Sequence, residues 1–284
     1  MASTETLAGP DRYAVFGNPI SHSRSPAIHR MFASQTGQAI SYEKRLAPLD
    51  GFAAAVDAYR LEGGRGCNVT VPFKLDAARY ATALSQRARA AGAVNTLRFD
   101  ADGGCYGDNT DGAGLVADLT QRLGLDLAGA RVALLGAGGA ARGVVLPLLD
   151  AGVESLLIVN RTAARALELA SLAGDARVVG AGLDALGEAT ASVVINATSA
   201  GLDGSALALP ASLWDRVELA YDMVYGRKPT AFMCEATQRA CPRVADGLGM
   251  LVEQAAESFL LWRGVRPQTA PVYQALRVAI DAGH

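Results

Sequence analysis

The chain has 284 residues, of which half are hydrophobic and 19% are charged, and its formal net charge is −2. This length predicts one large or two modest domains. The near-neutral charge provides neither the basic surface of a nucleic-acid-binding protein nor a polybasic membrane patch.

The N-terminal part alternates short apolar runs with helical stretches, a pattern typical of α/β folds with mainly parallel sheets. Pro26 suits the first turn of a helix, and Pro72 is expected to start another. The predicted elements are strands at 13–16, 40–46 and 67–71, and helices at 26–32, at 49–62 and from 72 onward. Residues 93–99 and 105–106 are predicted to pair as a hairpin around residues 102–104.

The middle part begins with a continuous apolar run at 132–135, as expected for a strand that is buried on both faces. A helix to about residue 149 follows, with further strands predicted at 156–159, 178–179, 193–195 and 219–224. This spacing predicts a doubly wound sheet. The remainder from Gly247 is expected to be largely helical, with domain boundaries near Asp111 and Asp246.

A glycine motif, Gly136-x-Gly138-x-x-Ala141, follows the first strand of this sheet and opens a helix. The first glycine allows a tight turn, the second lets the backbone approach a pyrophosphate, and the small third residue lets helix and strand pack closely. Free N–H groups at the helix N-terminus favour bound phosphates. The sequence therefore predicts a dinucleotide site.

The end of the second strand indicates which dinucleotide is bound. NAD-binding folds usually place Asp or Glu there, whereas this chain has Asn160-Arg161-Thr162, with Arg165 one turn further on. A guanidinium can bind a 2′-phosphate through two parallel hydrogen bonds, which favours NADP. The alternative is that Arg161 and Arg165 are ordinary surface residues of a helix.

Hydride transfer to a ketone requires a proton donor near the forming alkoxide. With three histidines and no CxxC pair, a catalytic metal site is not expected, and a Tyr-x-x-x-Lys pair is absent. Two segments offer candidates: 68–74 places Lys74 one turn into a helix, and 107–112 places Asp111 at a domain boundary. The alternatives are a solvated lysine and a helix N-cap.

The chain resembles the shikimate dehydrogenase family along nearly its whole length. The resemblance rests on ordered motifs at the family's spacing, which occupy residues 16–26, 68–74, 91–96, 107–111, 136–141, 160–162, 195–199, 221–225 and 246–254.

This resemblance implies a substrate-binding α/β domain over 1–110, completed by helices at 247–284, a Rossmann-type NADP domain over 111–246, and a cleft between them. It implies that Lys74 and Asp111 act as an acid–base pair. The implied substrate-binding residues, of which the two serines would hold a carboxylate, are Ser23, Ser25, Thr70, Lys74, Asn95, Asp111, Tyr225 and Gln254. The implied cofactor-binding residues are Gly136, Ala137, Gly138, Gly139, Ala140, Asn160, Arg161, Thr162, Arg165, Thr198, Met223 and Gly247.

Some of these residues have structural alternatives: Met223 as core, Ser23 as a helix cap and Gly247 as a turn residue. The expected activity is the reversible, NADPH-dependent reduction of 3-dehydroshikimate to shikimate. The rival functions are oxidation of quinate, perhaps with NAD, and a non-catalytic NADP-binding regulator. We expect a cytoplasmic protein, since it lacks a signal peptide, a membrane span and paired cysteines, and a monomer or homodimer.

Overall fold

The computed structural model describes residues 9–198 and 207–283. Ser199, which ends the motif at 195–199, lies outside the described residues. The predicted α/β class is confirmed by two six-stranded sheets with helices packed on them. No helix among the described residues combines the length and apolar character needed to cross a bilayer.

The first sheet is mixed, with mainly parallel strands. Its strands are β1 (Asp11–Gly17), β2 (Ile40–Leu46), β3 (Gly64–Val69), β4 (Ala83–Leu84), β5 (Thr96–Phe99) and β6 (Cys105–Asp108), in the spatial order β2-β1-β3-β5-β6-β4. Strand β1 runs parallel to β2 and β3, but β5 is antiparallel to β3 and β6. The predicted hairpin is confirmed as β5–β6. Strand β4 is parallel to β6, so three of the five strand pairings are parallel, and the prediction of mainly parallel strands is confirmed with β5 as the exception.

Four helices accompany this sheet: α1 (Ser25–Thr36), α2 (Phe52–Leu61), α3 (Lys74–Tyr80) and α4 (Gln86–Ala91). The prediction that Lys74 lies one turn into a helix is wrong, since α3 begins at this residue. The preceding residues form a turn instead, in which the Phe73 N–H donates to the Thr70 carbonyl at 3.0 Å. Lys74 therefore lies directly after the turn that follows the carboxyl end of β3.

The second sheet is parallel throughout. Its strands are β7 (Arg131–Leu135), β8 (Ser155–Val159), β9 (Val178–Ala181), β10 (Val193–Asn196), β11 (Leu219–Asp222) and β12 (Val244–Asp246), in the order β12-β11-β10-β7-β8-β9. This is the doubly wound order that the sequence predicted, and it reverses between β7 and β10, where such sheets bind ligands. The helices associated with it are α5 (Asp111–Ala117), α6 (Gly139–Asp150), α7 (Ala163–Ala173) and α8 (Ala231–Gln238).

Burial on both faces explains the apolar run of β7. Val132 and Leu134 belong to one hydrophobic cluster, while Ala133 and Leu135 belong to another on the opposite face. Because successive side chains of a strand point to opposite faces, every position of a doubly covered strand is apolar.

The last two helices, α9 (Leu248–Arg263) and α10 (Ala270–Asp281), pack on the N-terminal part of the chain. Phe259 and Leu276 share a buried cluster with Ile28 and Phe32 of α1. Helix α9 also packs against α5, and α5 against α6. Helices α5 and α9 thus lie beside both sheets and border the space between them.

Candidate active site

A cleft of about 380 Å³ opens between the two sheets, and we call it the cleft throughout. Its lining includes all eight residues that were predicted to bind substrate, namely Ser23, Ser25, Thr70, Lys74, Asn95, Asp111, Tyr225 and Gln254. It also includes three of those predicted to bind the cofactor, namely Ala140, Met223 and Gly247. Residues from both sheets and from α9 therefore meet in one space.

Lys74 and Asp111, which both line this cleft, form an ion pair through Nζ and Oδ2. Each is the first residue of its helix, α3 or α5. The side chains are 18% and 8% exposed, so the lysine is not a solvated surface residue. Thr110, and not Asp111, occupies the N-cap position of α5. The alternative that Asp111 is only a helix N-cap is therefore wrong, and its carboxylate instead binds other residues of the cleft.

A buried amide holds the other carboxylate oxygen. Asn95 Nδ2 donates to Asp111 Oδ1 at 2.8 Å and approaches Gln254 Oε1 at 3.2 Å. Asn95 Oδ1 accepts the backbone N–H of Thr110 at 2.9 Å. Both oxygens of Asp111 thus have a fixed donor, so the position of the ammonium group of Lys74 is well defined.

The two serines lie where α1 begins. Ser23 Oγ donates to Ser25 Oγ at 3.2 Å and accepts the Ser25 N–H at 3.3 Å. Arg24, and not Ser23, occupies the N-cap position of α1, so the capping alternative does not describe Ser23. Its hydroxyl accepts the N–H of the first helical residue and also lines the cleft. Across the cleft, burial raises the pKa of Tyr225, so its hydroxyl keeps a proton to donate at neutral pH.

Asn68 lines the cleft as well, although the sequence reasoning assigned it no role. It is 6% exposed and lies two residues before Thr70 at the end of β3. A strand places side chains two residues apart on the same face, so the prediction for Thr70 could have been extended to Asn68. His22 and Arg24 also contribute to the lining.

The glycine loop after β7 has the geometry of a phosphate cradle. Gly136 has a φ of +107°, and a Cβ there would meet the Ala197 backbone and the Thr198 methyl group at 3.2 Å. A Cβ at Gly138 or Gly139 would meet nothing within 4 Å. Helix α6 begins at Gly139, so its first N–H groups face open space, and Ala140 of the same turn reaches the cleft. These residues fit a dinucleotide pyrophosphate.

The residues predicted to recognise the 2′-phosphate are outside the lining of the cleft: residues 160–162 lie between β8 and α7, and Arg165 lies in the first turn of α7. Asn160 Nδ2 donates to the Thr162 carbonyl at 3.0 Å, which shapes this turn. Arg161 and Arg165 are exposed, and neither guanidinium group has a hydrogen bond or ion pair to any residue that the structure describes. Two guanidinium groups that are free of such partners fit a phosphate dianion.

The remaining cofactor candidates surround the point where the strand order reverses. Asn196 Oδ1 accepts both the N–H and the hydroxyl of Thr198, at 3.1 and 2.7 Å. Gly247 has a φ of −76°, so its turn does not require glycine. A Cβ there would instead collide with the Met223 carbonyl oxygen at 2.1 Å. Gly247 is therefore required by close backbone packing beside Met223.

The family models that match the chain cover most of its length. Residues 15–97 match the shikimate dehydrogenase substrate binding domain, residues 118–202 match shikimate / quinate 5-dehydrogenase, and residues 247–277 match the shikimate 5′-dehydrogenase C-terminal domain. A relative from Methylobacillus flagellatus, named shikimate dehydrogenase (NADP(+)), is 56% identical over 95% of this chain and 100% of its own length. A relative of the same name from Thioalkalivibrio sulfidiphilus is 57% identical over 94% of this chain and 98% of its own.

Two solved structures are closely similar. An Ael1 enzyme from Pseudomonas putida has a TM-score of 0.89 and 46% identity, covering 94% of this chain and 98% of its own. Shikimate 5-dehydrogenase from Thermus thermophilus, in complex with NADP(H) and shikimate, has a TM-score of 0.83 and 38% identity, covering 95% of this chain and 99% of its own. With motifs, fold and near-complete coverage in agreement, the chain belongs to the shikimate dehydrogenase family.

Proposed function

We propose that this chain is an NADP-dependent shikimate dehydrogenase, which reversibly reduces 3-dehydroshikimate to shikimate on the route to the aromatic amino acids. The observation that carries this proposal is the Lys74–Asp111 ion pair, which shares one cleft with Ser23 and Ser25. A non-catalytic relative would have no need to keep a donor, its carboxylate partner and a hydroxyl pair in one enclosed space.

The substrate is a cyclic hydroxy acid, and the cleft offers a suitable group for each of its parts. Ser23 and Ser25 would bind the carboxylate by hydroxyl hydrogen bonds. The residues that would bind or orient the ring hydroxyls are Thr70, Asn95, Tyr225 and Gln254. Neutral donors and acceptors discriminate well here, because a buried polar group that is left unpaired costs about 1–3 kcal/mol.

Lys74 and Asp111 would perform the proton transfer. NADPH, when bound, supplies the hydride that reduces the ketone. Lys74 would donate a proton to the oxygen of the forming alkoxide and would stabilise the negative charge as it develops. Asp111, held by Asn95, would keep the lysine aimed at that oxygen and would balance its charge during the cycle. In the reverse direction the same pair would accept the proton of the alcohol.

The cofactor residues divide into three groups along the carboxyl edge of the second sheet. Gly136, Ala137, Gly138, Gly139 and Ala140 would bind the pyrophosphate with backbone N–H groups. The adenosine 2′-phosphate would be bound by Asn160, Arg161, Thr162 and Arg165. The residues proposed to lie at the nicotinamide end are Thr198, Met223 and Gly247.

Three further points belong to this proposal. We infer a substrate domain over residues 1–110 with 247–284, and an NADP domain over 111–246, in accordance with the two sheets. A cytoplasmic location is proposed because the four cysteines are free thiols. The protein would act as a monomer or a homodimer.

The test is the change in NADPH absorbance when the full-length protein is mixed with 3-dehydroshikimate, followed by the reverse reaction with shikimate and NADP. Parallel reactions contain quinate in place of shikimate, or NAD in place of NADP. We expect turnover in both directions, with much lower activity in the parallel reactions. A folded protein that gives no absorbance change at saturating substrate would refute the proposal.

A further inference from the structure

A connected set of polar side chains, all buried except the half-buried Tyr42, leads to the Lys74–Asp111 pair. Tyr42 Oη lies 2.7 Å from Asn68 Oδ1, and Asn68 Nδ2 lies 3.1 Å from Thr96 Oγ1. Thr96 Oγ1 lies 2.9 Å from Asn95 Oδ1. Asn95 Nδ2 then reaches Asp111 Oδ1 at 2.8 Å. Four hydrogen bonds thus join Tyr42 to the carboxylate.

The direction of each hydrogen bond in this series follows from backbone groups that can act only as a donor or only as an acceptor. The Thr110 N–H can only donate, and it lies 2.9 Å from Asn95 Oδ1, which identifies that atom as the amide oxygen. Nδ2 of Asn95 therefore faces the Asp111 carboxylate as a donor. An amide oxygen has no hydrogen to donate, so the hydrogen bond at 2.9 Å between it and Thr96 is donated by the Thr96 hydroxyl. Ser258 Oγ, 2.8 Å from Thr96 Oγ1, can donate to Thr96 in this arrangement.

The same reasoning extends outward to Tyr42. Asn68 Nδ2 also lies 3.2 Å from the backbone carbonyl of Asn95, which can only accept, so this nitrogen is the donor to Thr96 Oγ1. The oxygen of the Asn68 amide then faces Tyr42, whose hydroxyl donates to it. Ser258, which is fully buried, accepts from Asn68 at 2.9 Å and stabilises this amide orientation. All four bonds therefore donate toward Asp111.

We propose that Tyr42 and Thr96 are positioning residues for the Lys74–Asp111 pair, acting through this directed hydrogen-bond chain that fixes the Asn95 amide against the carboxylate. This inference rests on the proposed acid–base function of the pair. Hydrogen bonds that point in one direction polarise each other, and the last bond ends on a charged acceptor, where donors bind most strongly. This series of hydrogen bonds thereby holds the Asp111 carboxylate, and with it the Lys74 ammonium group, in one orientation.

Tyr42, the first donor of this series of hydrogen bonds, is held in place by packing and keeps its proton. Burial raises the pKa of Tyr42 well above its ordinary value, so the hydroxyl remains a donor. Its ring stacks on His29 with centroids 4.3 Å apart and planes 8° from parallel. Thr96 is fully buried, so water has no access to replace its hydroxyl.

The kinetic test compares two substitutions of one residue in the full-length enzyme. Thr96→Val preserves shape and removes the hydroxyl, whereas Thr96→Ser preserves the hydroxyl and removes a methyl group. We expect Thr96→Val and Tyr42→Phe to lower kcat by about 3- to 10-fold, the effect of one net hydrogen bond, with the KM for NADPH unchanged. Thr96→Ser should restore most of kcat. Thr36→Val is the matched control, because its hydroxyl donates only within α1, to the Phe32 carbonyl.

A second readout does not require turnover. In protein labelled with ¹⁵N at asparagine, the side-chain amide signal of Asn95, identified by its loss in Asn95→Ser, should exchange slowly with solvent in the wild type and in Thr96→Ser. In Thr96→Val its exchange should be faster. Failure of the proposed function would leave this signature intact, so the two failures are distinguishable. Unchanged kcat and exchange in Thr96→Val would overturn the inference, as would equal losses in Thr96→Val and Thr96→Ser.

Discussion

Replacing Asp111 with Asn would remove the charge that faces Lys74 while keeping the size of the side chain. The carboxylate accepts from Lys74 at one oxygen and from Asn95 Nδ2 at the other. An amide has one acceptor atom, so one of these two donors would meet an NH₂ group instead. Because Asp111 is 6% exposed, water cannot relieve that clash, and we expect Asp111→Asn to lower the free energy of unfolding by about 1–3 kcal/mol.

The effect on turnover should be larger than the effect on stability. Loss of one general acid or base lowers rate by about 10²–10⁴-fold, so we expect kcat to fall by this factor in both Lys74→Met and Asp111→Asn. The double variant should lose much less than the product of the single losses, because the two residues act as one unit. The measurements are kcat from NADPH absorbance and NADPH affinity from fluorescence, and the affinity should be near that of the wild type.

Matched controls separate this effect from a general loss of charge. Lys228→Met and Asp102→Asn remove charges from exposed residues outside the cleft and should leave kcat unchanged. Near-normal turnover in Lys74→Met would refute its assignment as proton donor. Single losses that simply multiply in the double variant would refute the coupling.

Three further predictions concern the cofactor, the substrate and pH. Arg161→Ala should raise the NADP KM by about 10- to 150-fold, the loss of one charge-assisted phosphate contact, and should leave use of NAD nearly unchanged; equal losses with both would contradict it. Ser23→Ala should weaken shikimate binding by about 1–3 kcal/mol without affecting NADP, whereas a lower melting temperature with normal substrate affinity would indicate that Ser23 only stabilises the start of α1. Burial lowers the pKa of His29 to about 3, so the unfolded chain binds a proton between that value and the ordinary pKa near 6.5, and stability rises with pH across this window. The free energy of unfolding, measured with urea, should therefore increase from about pH 4.5 to 7 in the wild type. In His29→Phe this increase should be about 2–3 kcal/mol smaller, and equal increases in the two proteins would refute the prediction.

The sequence predicted the parts of the fold that depend on local pattern. The apolar run of β7 and the glycine motif after it are short-range signals, and they predicted a strand, a turn and a helix that are confirmed at this edge of the second sheet. The strand order of the first sheet was harder to predict from the sequence, because the antiparallel placement of β5 against β3 depends on contacts between distant segments. The start of α3 was misplaced by two residues, since Pro72 is compatible with both a helix and the turn that precedes one.

The residues of the candidate site were predicted from whole motifs, and this explains what the prediction missed. A motif identifies which residues are grouped, but it does not say which of them face the cleft. Asn68 was included in the motif at 68–74 and received no role, although it lines the cleft. The polar chain behind Asp111 was not detectable, because Tyr42 and Ser258 contact Asn68 from segments 26 and 190 residues away.

The position of the Lys74–Asp111 pair depends on two helices that are far apart in the chain, α5 and α9. Asp111 begins α5, and Gln254 lies in α9, which returns after the second sheet is complete. The helices approach so closely that a Cβ at Gly114 would lie 2.6 Å from the Gln254 backbone nitrogen. This contact brings Gln254 to within 3.2 Å of the amide that holds Asp111. The part of the cleft around Asp111 therefore includes residues of α9, which follows the second sheet in the chain. For this reason the polar groups around Asp111 are expected to form as one cooperative unit.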